Sequence, residues 1–285
     1  MSETRKVPTR RITFDPAFDD VPRHFTRDGD LLTSHLTAAL SAVFPEGEEF
    51  FVRSVRRFRD QITDPVLKRQ VAGFMGQEAV HGREHRDFNL RLAELGYPTK
   101  YVDRLTARFL KLRERLLSDK SNLAVTAALE HFTATLAEVV LRNEEIRDQF
   151  GHPAVRDLFT WHALEESEHK AVAFDVYQAV GGSERMRVNT MKFLRIGFVV
   201  FMTVQMAVAL LGDRAAYRPG NLRRSWRQLK ASPVLDKAVW AQLKDYDRRG
   251  FHPDDSDTEA LVEHWRAVLF GEQGRLNDKL ASSAA

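Results

Sequence analysis

Glu78-x-x-His81 and Glu166-x-x-His169 each place a carboxylate and an imidazole three residues apart. On a helix that spacing puts both groups on one side, and carboxylate oxygens with neutral imidazole nitrogens are the donor set of divalent transition metals. Chance alone would supply roughly 0.7 such motifs in a chain of this make-up, so the surroundings must decide. Each motif interrupts an otherwise apolar stripe of alternating three- and four-residue steps. One stripe runs Leu67, Val71, Phe74, Glu78, His81, His85, Phe88, Leu92, Leu95; the other runs Val155, Phe159, His162, Glu166, His169, Ala173, Val176, Val180. Two further stripes carry a lone glutamate: Phe44, Glu48, Phe51, Val55, Phe58, Ile62, and Leu123, Ala127, Glu130, Ala134, Ala137, Leu141.

A stripe of this kind normally faces the core, where an unpaired charge costs several kcal/mol. Four facing helices would therefore gather Glu48, Glu78, His81, Glu130, His162, Glu166 and His169 as ligands of a buried site for two metal ions. The chain order, a lone glutamate followed by a Glu-x-x-His and then the same pair again, is that of a di-metal carboxylate bundle. Four carboxylates balance two divalent cations, and iron suits the mixed oxygen and nitrogen donors best, with manganese or zinc as alternatives. His85, one turn beyond His81, reads as a hydrogen-bonding partner behind the ligands. Glu49 reads as a solvent-facing neighbour of Glu48, and His131 as a packing histidine. Gly73, Gly76 and Gly82 leave either close helix contacts or room beside the metals. None of the five tyrosines lies on the stripes, which argues against a stored tyrosyl radical.

The elements that must hold these residues are helical. Strand patterning and Asn-Gly hairpin signals are lacking, whereas Asp64-Pro65, Pro153, Ser121, Gly181-Gly182 and Ser183 supply helix starts and stops. The spacing predicts helices over 45–62, 65–95, 101–117, 121–149, 153–181 and 184–212, followed by shorter ones. The expected fold is all-α: a four-helix bundle in which 101–117 crosses between two helix pairs, with additional C-terminal helices. Residues 1–35 read as an irregular arm, 36–216 as the bundle, and 217–285 as a helical extension of the same domain.

Composition narrows the function further. Lys+Arg 43 against Asp+Glu 40 leaves +3 with no basic tract, which argues against a nucleic-acid partner. The absence of cysteine excludes disulfides and thiolate chemistry and suits a reducing compartment, here the cytoplasm. No secretory signal is visible at the start. Ile196 to Gly212, "IGFVVFMTVQMAVALLG", carries no charge. Its length lies at the lower edge of about 17 residues for a membrane span. A helix buried beside the bundle is the favoured expectation. Peripheral membrane contact, or an apolar channel toward the metals, is the alternative.

With those residues in place, the constellation resembles the ferritin-like di-iron superfamily. "FPEGEEFF", "QEAVHGREH", "ALEHFTA", "WHALEESEHK" and "GFHPDD" resemble a bacterial family described as predicted metal-dependent hydrolases, over most of the chain after about residue 20. His162, four residues before Glu166, is similar to the extra histidine of the di-iron arylamine N-oxygenases; His85 and the apolar segment depart from that pattern. The resemblance implies that Glu78 and Glu166 bridge two metals, that Glu48 and His81 complete one ion, and that Glu130, His169 and His162 complete the other. The functional expectation is an O2-activating oxidase or oxygenase for a small or lipophilic substrate, supplied by an electron donor. A hydrolase using metal-activated water and a non-catalytic iron-binding bundle are the alternatives. The seams contain no aspartate and no Lys or Arg to clamp a phosphate, which favours the oxidase.

Overall fold

The computed structural model describes residues 7–281, and its secondary structure among them is helical apart from one isolated antiparallel bridge, Ile12 to Leu280. The first long helices are α1 (Leu31–Arg56), α2 (Pro65–Glu94), α3 (Thr99–Leu116) and α4 (Asp119–Arg142). Then come α5 (Glu144–Gln149), α6 (Pro153–His169), α7 (Val172–Ala179) and α8 (Glu184–Leu211), with α9 (Asn221–Ala231), α10 (Lys237–Asp245) and α11 (Glu259–Phe270) completing the chain. Helix α1 packs along α2, α2 against α6 and α7, those two against α4, and α4 back onto α1. This closed ring is the bundle. Helix α3 crosses from α2 to α4 along α1, α8 lies on α1 and α4, and α9 lies on α1.

Asp30, Asp64, Ser118 and Ser183 begin helices by accepting hydrogen bonds from Thr33, Val66, Ser121 and Met186 N–H groups. Ser118, not Ser121, is thus the cap of α4. Helix α1 begins at Leu31, well before the expected start at Pro45, which lies inside it. Proline has no N–H for the carbonyl four residues back, that of Ser41. Asn89 Nδ2 of α2 donates to the Ser41 carbonyl oxygen instead, at 2.9 Å, so the helix continues through the proline.

Two expected long helices are each divided. Asn143 turns extended after α4, and Arg147 of α5 donates to the Val140 and Leu141 carbonyls left open. The helix expected over 153–181 breaks after His169, where Lys170 Nζ reaches the Ser256 carbonyl and Thr258 Oγ1. That long-range tie has no trace in the local pattern.

The arm lies across α2, and there Gly73 and Gly76 have their role. A Cβ on Gly73 would strike the Val7 carbonyl, and one on Gly76 would strike the Thr9 side chain. Gly82 instead faces the bundle interior, where an added Cβ would lie 3.2 Å from Glu48 Oε2. Ile12, Phe14, Phe18, Val21 and Phe25 of the arm are buried in the core. Residues 1–6 of the expected arm and 282–285 of the expected extension lie outside the described residues, and residues 31–35, expected in the arm, belong to α1.

The apolar helix departs most from expectation. Only 11 % of the most apolar stretch of α8 is buried, against 61 % for α4, which among the described residues is the other helix long and apolar enough to cross a membrane. Hydropathy reports greasiness but not what covers it, so the sequence could not tell a core helix from an uncovered one.

Candidate metal centre

Glu48 comes from α1, Glu78 and His81 from α2, Glu130 from α4, and His162, Glu166 and His169 from α6; all seven side chains are buried. Glu166 Oε1 lies at the middle of the group. His162 Nε2 is 3.0 Å from it, His169 Nε2 3.5 Å and His81 Nδ1 3.7 Å. Glu78 Oε1 likewise lies between two histidines, 3.1 Å from His169 Nε2 and 3.7 Å from His81 Nδ1. Glu130 Oε2 approaches His169 Nε2 at 3.4 Å, and Glu48 Oε1 approaches His162 Nε2 at 3.6 Å.

Six of the seven donors fall into two sets able to hold an ion: Glu48 with His81 and His162, and Glu78 with Glu166 and His169; Glu130 is in neither set but approaches His169. His162 thus groups with Glu48 and His81, whereas the resemblance implied that it joins Glu130 and His169. The reason is helical geometry. Residue 162 lies one turn before Glu166 and residue 169 one turn after it, so the two imidazoles reach opposite sides of that carboxylate.

What stands behind each imidazole fixes which nitrogen faces the centre. Gln77 Nε2 donates to Glu168 and to the Pro8 carbonyl, so its Oε1 must accept from His169 Nδ1–H, 2.8 Å away. His81 Nε2 donates to Glu165 at 3.1 Å. His162 Nδ1 is 2.7 Å from His85 Nε2; His85 Nδ1 in turn meets Ser41 Oγ, whose proton goes to Asn89 Oδ1. Each chain occupies one ring nitrogen and turns the other toward the carboxylates, where a proton or a metal ion can sit: His81 Nδ1, His162 Nε2 and His169 Nε2. His85 therefore touches His162 and none of the four glutamates through these bonds. Ligands held in this way keep one tautomer and one ring orientation.

The centre also fits cations by what its oxygens lack. Both oxygens of Glu48, Glu78 and Glu130, and Oε2 of Glu166, are buried without a hydrogen-bond donor. Such groups are costly in a protein interior unless a positive charge meets them. Burial, then the neighbouring glutamates, pushes the Glu48 and Glu130 carboxyls well above the usual range. Burial raises Glu78 as well. At His169 burial opposes the charge, but the Glu166 and Glu78 carboxylates prevail and hold the imidazolium well above its ordinary value. Two divalent cations would neutralise four carboxylates and take the place of those protons.

Several contributors stand behind the ligands, and the sequence left open whether Glu165 and Glu168 flank the site or leave it. Glu165 and Glu168 are fully buried on the far side of α6. Arg10 of the arm donates to both at 2.8 Å, and Arg266 of α11 donates to Glu168 at 2.6 Å. Burial still pushes the Glu165 carboxyl up to about 8, even with Arg10 alongside. The only sequence signal was that three glutamates within four residues cannot all face one seam. Of the other candidates, Glu49 is half exposed on α1. His131 packs on Tyr246 and Phe251 and meets the Gln242 carbonyl, away from the centre. "GFHPDD" forms a capped turn in which His252 bonds Asp175.

A separate group joins His24, His35 and Asp213, whose Oδ2 lies 2.8 and 3.0 Å from the two imidazoles. Arg23 shares the same oxygen at 3.3 Å, so this carboxylate already has a counter-ion. The network fastens the arm and α1 to the C-terminal end of α8.

Two openings approach the centre. An apolar cavity of about 120 Å³ ends on His162 and Glu166 and is lined by Leu36, Leu40, Phe44, Leu136, Val140 and Phe159, among others. An open groove of about 350 Å³ between α1 and α2 ends on Glu78 and is lined by Arg53, Arg56, Arg83 and Arg86. The latter bears on the expectation that no Lys or Arg is placed to clamp a phosphate, because arginines from outside the seams line a groove that reaches Glu78. A further groove of about 480 Å³ around Glu168, Asp175 and His252 touches none of the seven central residues.

Fold and centre together define an all-α bundle with candidate metal-binding His/Glu clusters at its heart. The model of a family described as "Predicted metal-dependent hydrolase" matches residues 8–257, and the chain belongs to that family. No curated protein and no solved structure gives a significant match.

His162→Ala should leave metal in the Glu78/Glu166/His169 set and weaken the other ion by at least the roughly 100-fold that marks the upper end for losing a group behind a ligand. Titration of metal-free protein with ferrous ion, read by its magnetic or optical signature, checks this. A parent-like titration would reduce His162 to packing.

Proposed function

We propose that this chain is a dinuclear metal enzyme that uses O2 to oxidise an apolar small molecule, with iron as the native metal. The observation that carries the reading is the apolar cavity that ends on His162 and Glu166, two members of the candidate centre. Glu48, Glu78, Glu130 and Glu166 would hold the ions with His81, His162 and His169. When bound, a redox-active pair supplies electrons to O2, whereas a redox-inert pair acidifies water. The phenylalanines and leucines of the cavity orient an apolar substrate and keep bulk water out. Gln77, Glu165 and His85 hold the three imidazoles in register. Turnover would require an external two-electron donor.

A second reading, metal-dependent hydrolysis, draws on the family description and on the arginine-lined groove that reaches Glu78. Three of the four arginines are already engaged: Arg53 with Glu114, Arg83 with Glu84 and Arg86 with Glu49. The groove therefore supports anion binding less directly than the cavity supports an apolar substrate.

The two readings separate in one experiment. Protein loaded anaerobically with ferrous ion is mixed with air-saturated buffer while O2 uptake and visible absorption are followed. The zinc-loaded protein is assayed on a panel of esters and phosphoesters. O2 uptake within seconds, with a transient visible band, is the expected result. Inertness toward O2 together with zinc-supported hydrolysis would overturn the proposal in favour of the hydrolase.

A further inference from the structure

The outer face of α8 carries Phe193, Ile196, Val200, Val204, Val208 and Leu211, spaced by three or four residues, so they form one stripe. Phe193, Ile196 and Leu211 are each more than 70 % exposed. At a rise of about 1.5 Å per residue the stripe from Ile196 to Leu211 is roughly 24 Å long. Lone exposed apolar residues are ordinary, but a continuous stripe of this size marks an interaction surface.

What lies at its C-terminal end tells what covers it. Arg214, Arg218, Arg223, Arg224, Arg227 and Lys230 are all exposed, and no Asp or Glu occurs between residues 214 and 235. None of the six has an ion-pair partner among the described residues. Tyr217 and Trp226 stand exposed among them, and Leu222 shares the outer face of α9 with Trp226. Ser225 and Leu229 anchor the inner face of α9. An apolar helix that runs into arginines and interfacial aromatics is the pattern of a protein seated on an anionic bilayer.

The opposite side of α8 is tied to the protein. Arg187 is buried and donates to the Tyr246 carbonyl, Arg195 pairs with Asp247 at 2.7 Å, and Phe198 packs on Phe132. Helix α8 is thus held flat against the bundle and is not free to cross a membrane. A second copy of the chain would bring its own cations to this surface. Laid antiparallel, it would offer Arg185 and Lys192 with only Glu184 as a negative charge.

We infer that α8 and α9 form a docking face for an anionic lipid surface, with the α8 stripe lying in the plane of the acyl boundary and the α9 arginines at the headgroups. Docking rests on this surface alone. The cavity is also lined by Leu229 of α9 and by Val234, so a docked protein would open it beside the bilayer; that corollary rests on the apolar-substrate reading.

The test is co-sedimentation of the purified full chain with vesicles of phosphatidylcholine alone, or with about one-third phosphatidylglycerol, at about 0.15 M salt. The expected result is binding to the anionic vesicles at least about tenfold stronger than to the neutral ones. The double variant Val200→Asp/Val204→Asp should lose that binding, and so should Arg223→Glu/Arg227→Glu, which alters only exposed arginines and should leave the helical signal and metal content unchanged. Parent protein remaining in the supernatant with anionic vesicles would overturn the proposal. So would a parent dimer that Val200→Asp/Val204→Asp converts to monomer without any vesicle binding, or membrane recovery that resists alkaline carbonate. Because the readout is binding, its failure leaves the O2 reading standing.

Discussion

Glu166→Ala is expected to strip the protein of most of its metal. Its Oε1 is the atom that all three central histidines approach, at 3.0, 3.5 and 3.7 Å, so its loss removes a ligand from both halves of the centre at once. Substitutions merely behind a ligand cost about 10- to 100-fold in metal affinity, and a shared ligand should exceed that range. Metal analysis of protein loaded anaerobically and desalted reads the effect. Glu49→Ala, one residue from Glu48 but half exposed, serves as the control that keeps its metal. Parent stoichiometry in Glu166→Ala would sink the centre as described.

The second large effect concerns a residue outside the bundle. Arg10→Met should destabilise the metal-free protein by about 3–5 kcal/mol, because it leaves Glu165 and part of the Glu168 requirement unmet in the interior. At about 2–4 °C per kcal/mol for large domains, the unfolding midpoint should fall by roughly 6–20 °C. Calorimetry at neutral pH would show it. A shift under about 2 °C would mean that solvent or Arg266 replaces the lost guanidinium at no cost.

The stripes were legible because a helix forces residues three and four apart onto one face. Glu48, Glu78, Glu130 and Glu166 stood out as charges where apolar groups belonged. What holds their partners was not legible. Gln77 adjoins Glu78 in sequence but points its amide at Glu168 and His169, a role that no spacing signals. Arg10 lies in a segment without periodicity. Pro45 reads as a helix start unless one knows that Asn89 will take up the Ser41 carbonyl. The break after His169 depends on residues 256 and 258, far along the chain. Local pattern foretold which side chains would meet, whereas long-range hydrogen bonds decided where the helices stop and which nitrogen each histidine presents.

Arg10 and Arg266 hold the same glutamate, and Thr13 and Ala281 N–H groups donate to the Lys279 and Arg11 carbonyls. The shell behind the centre is therefore closed by segments from opposite ends of the described chain. Closing so long a loop adds little to the entropic cost at equilibrium but must await synthesis of the distal segment. During translation the arm with Arg10 and the four ligand-bearing helices emerge first, and Arg266 can join Glu168 only after α11 has been made. The seal arrives last. Ions would meet a looser ligand shell before that closure than after it, and their exchange would slow once Arg266 is in place.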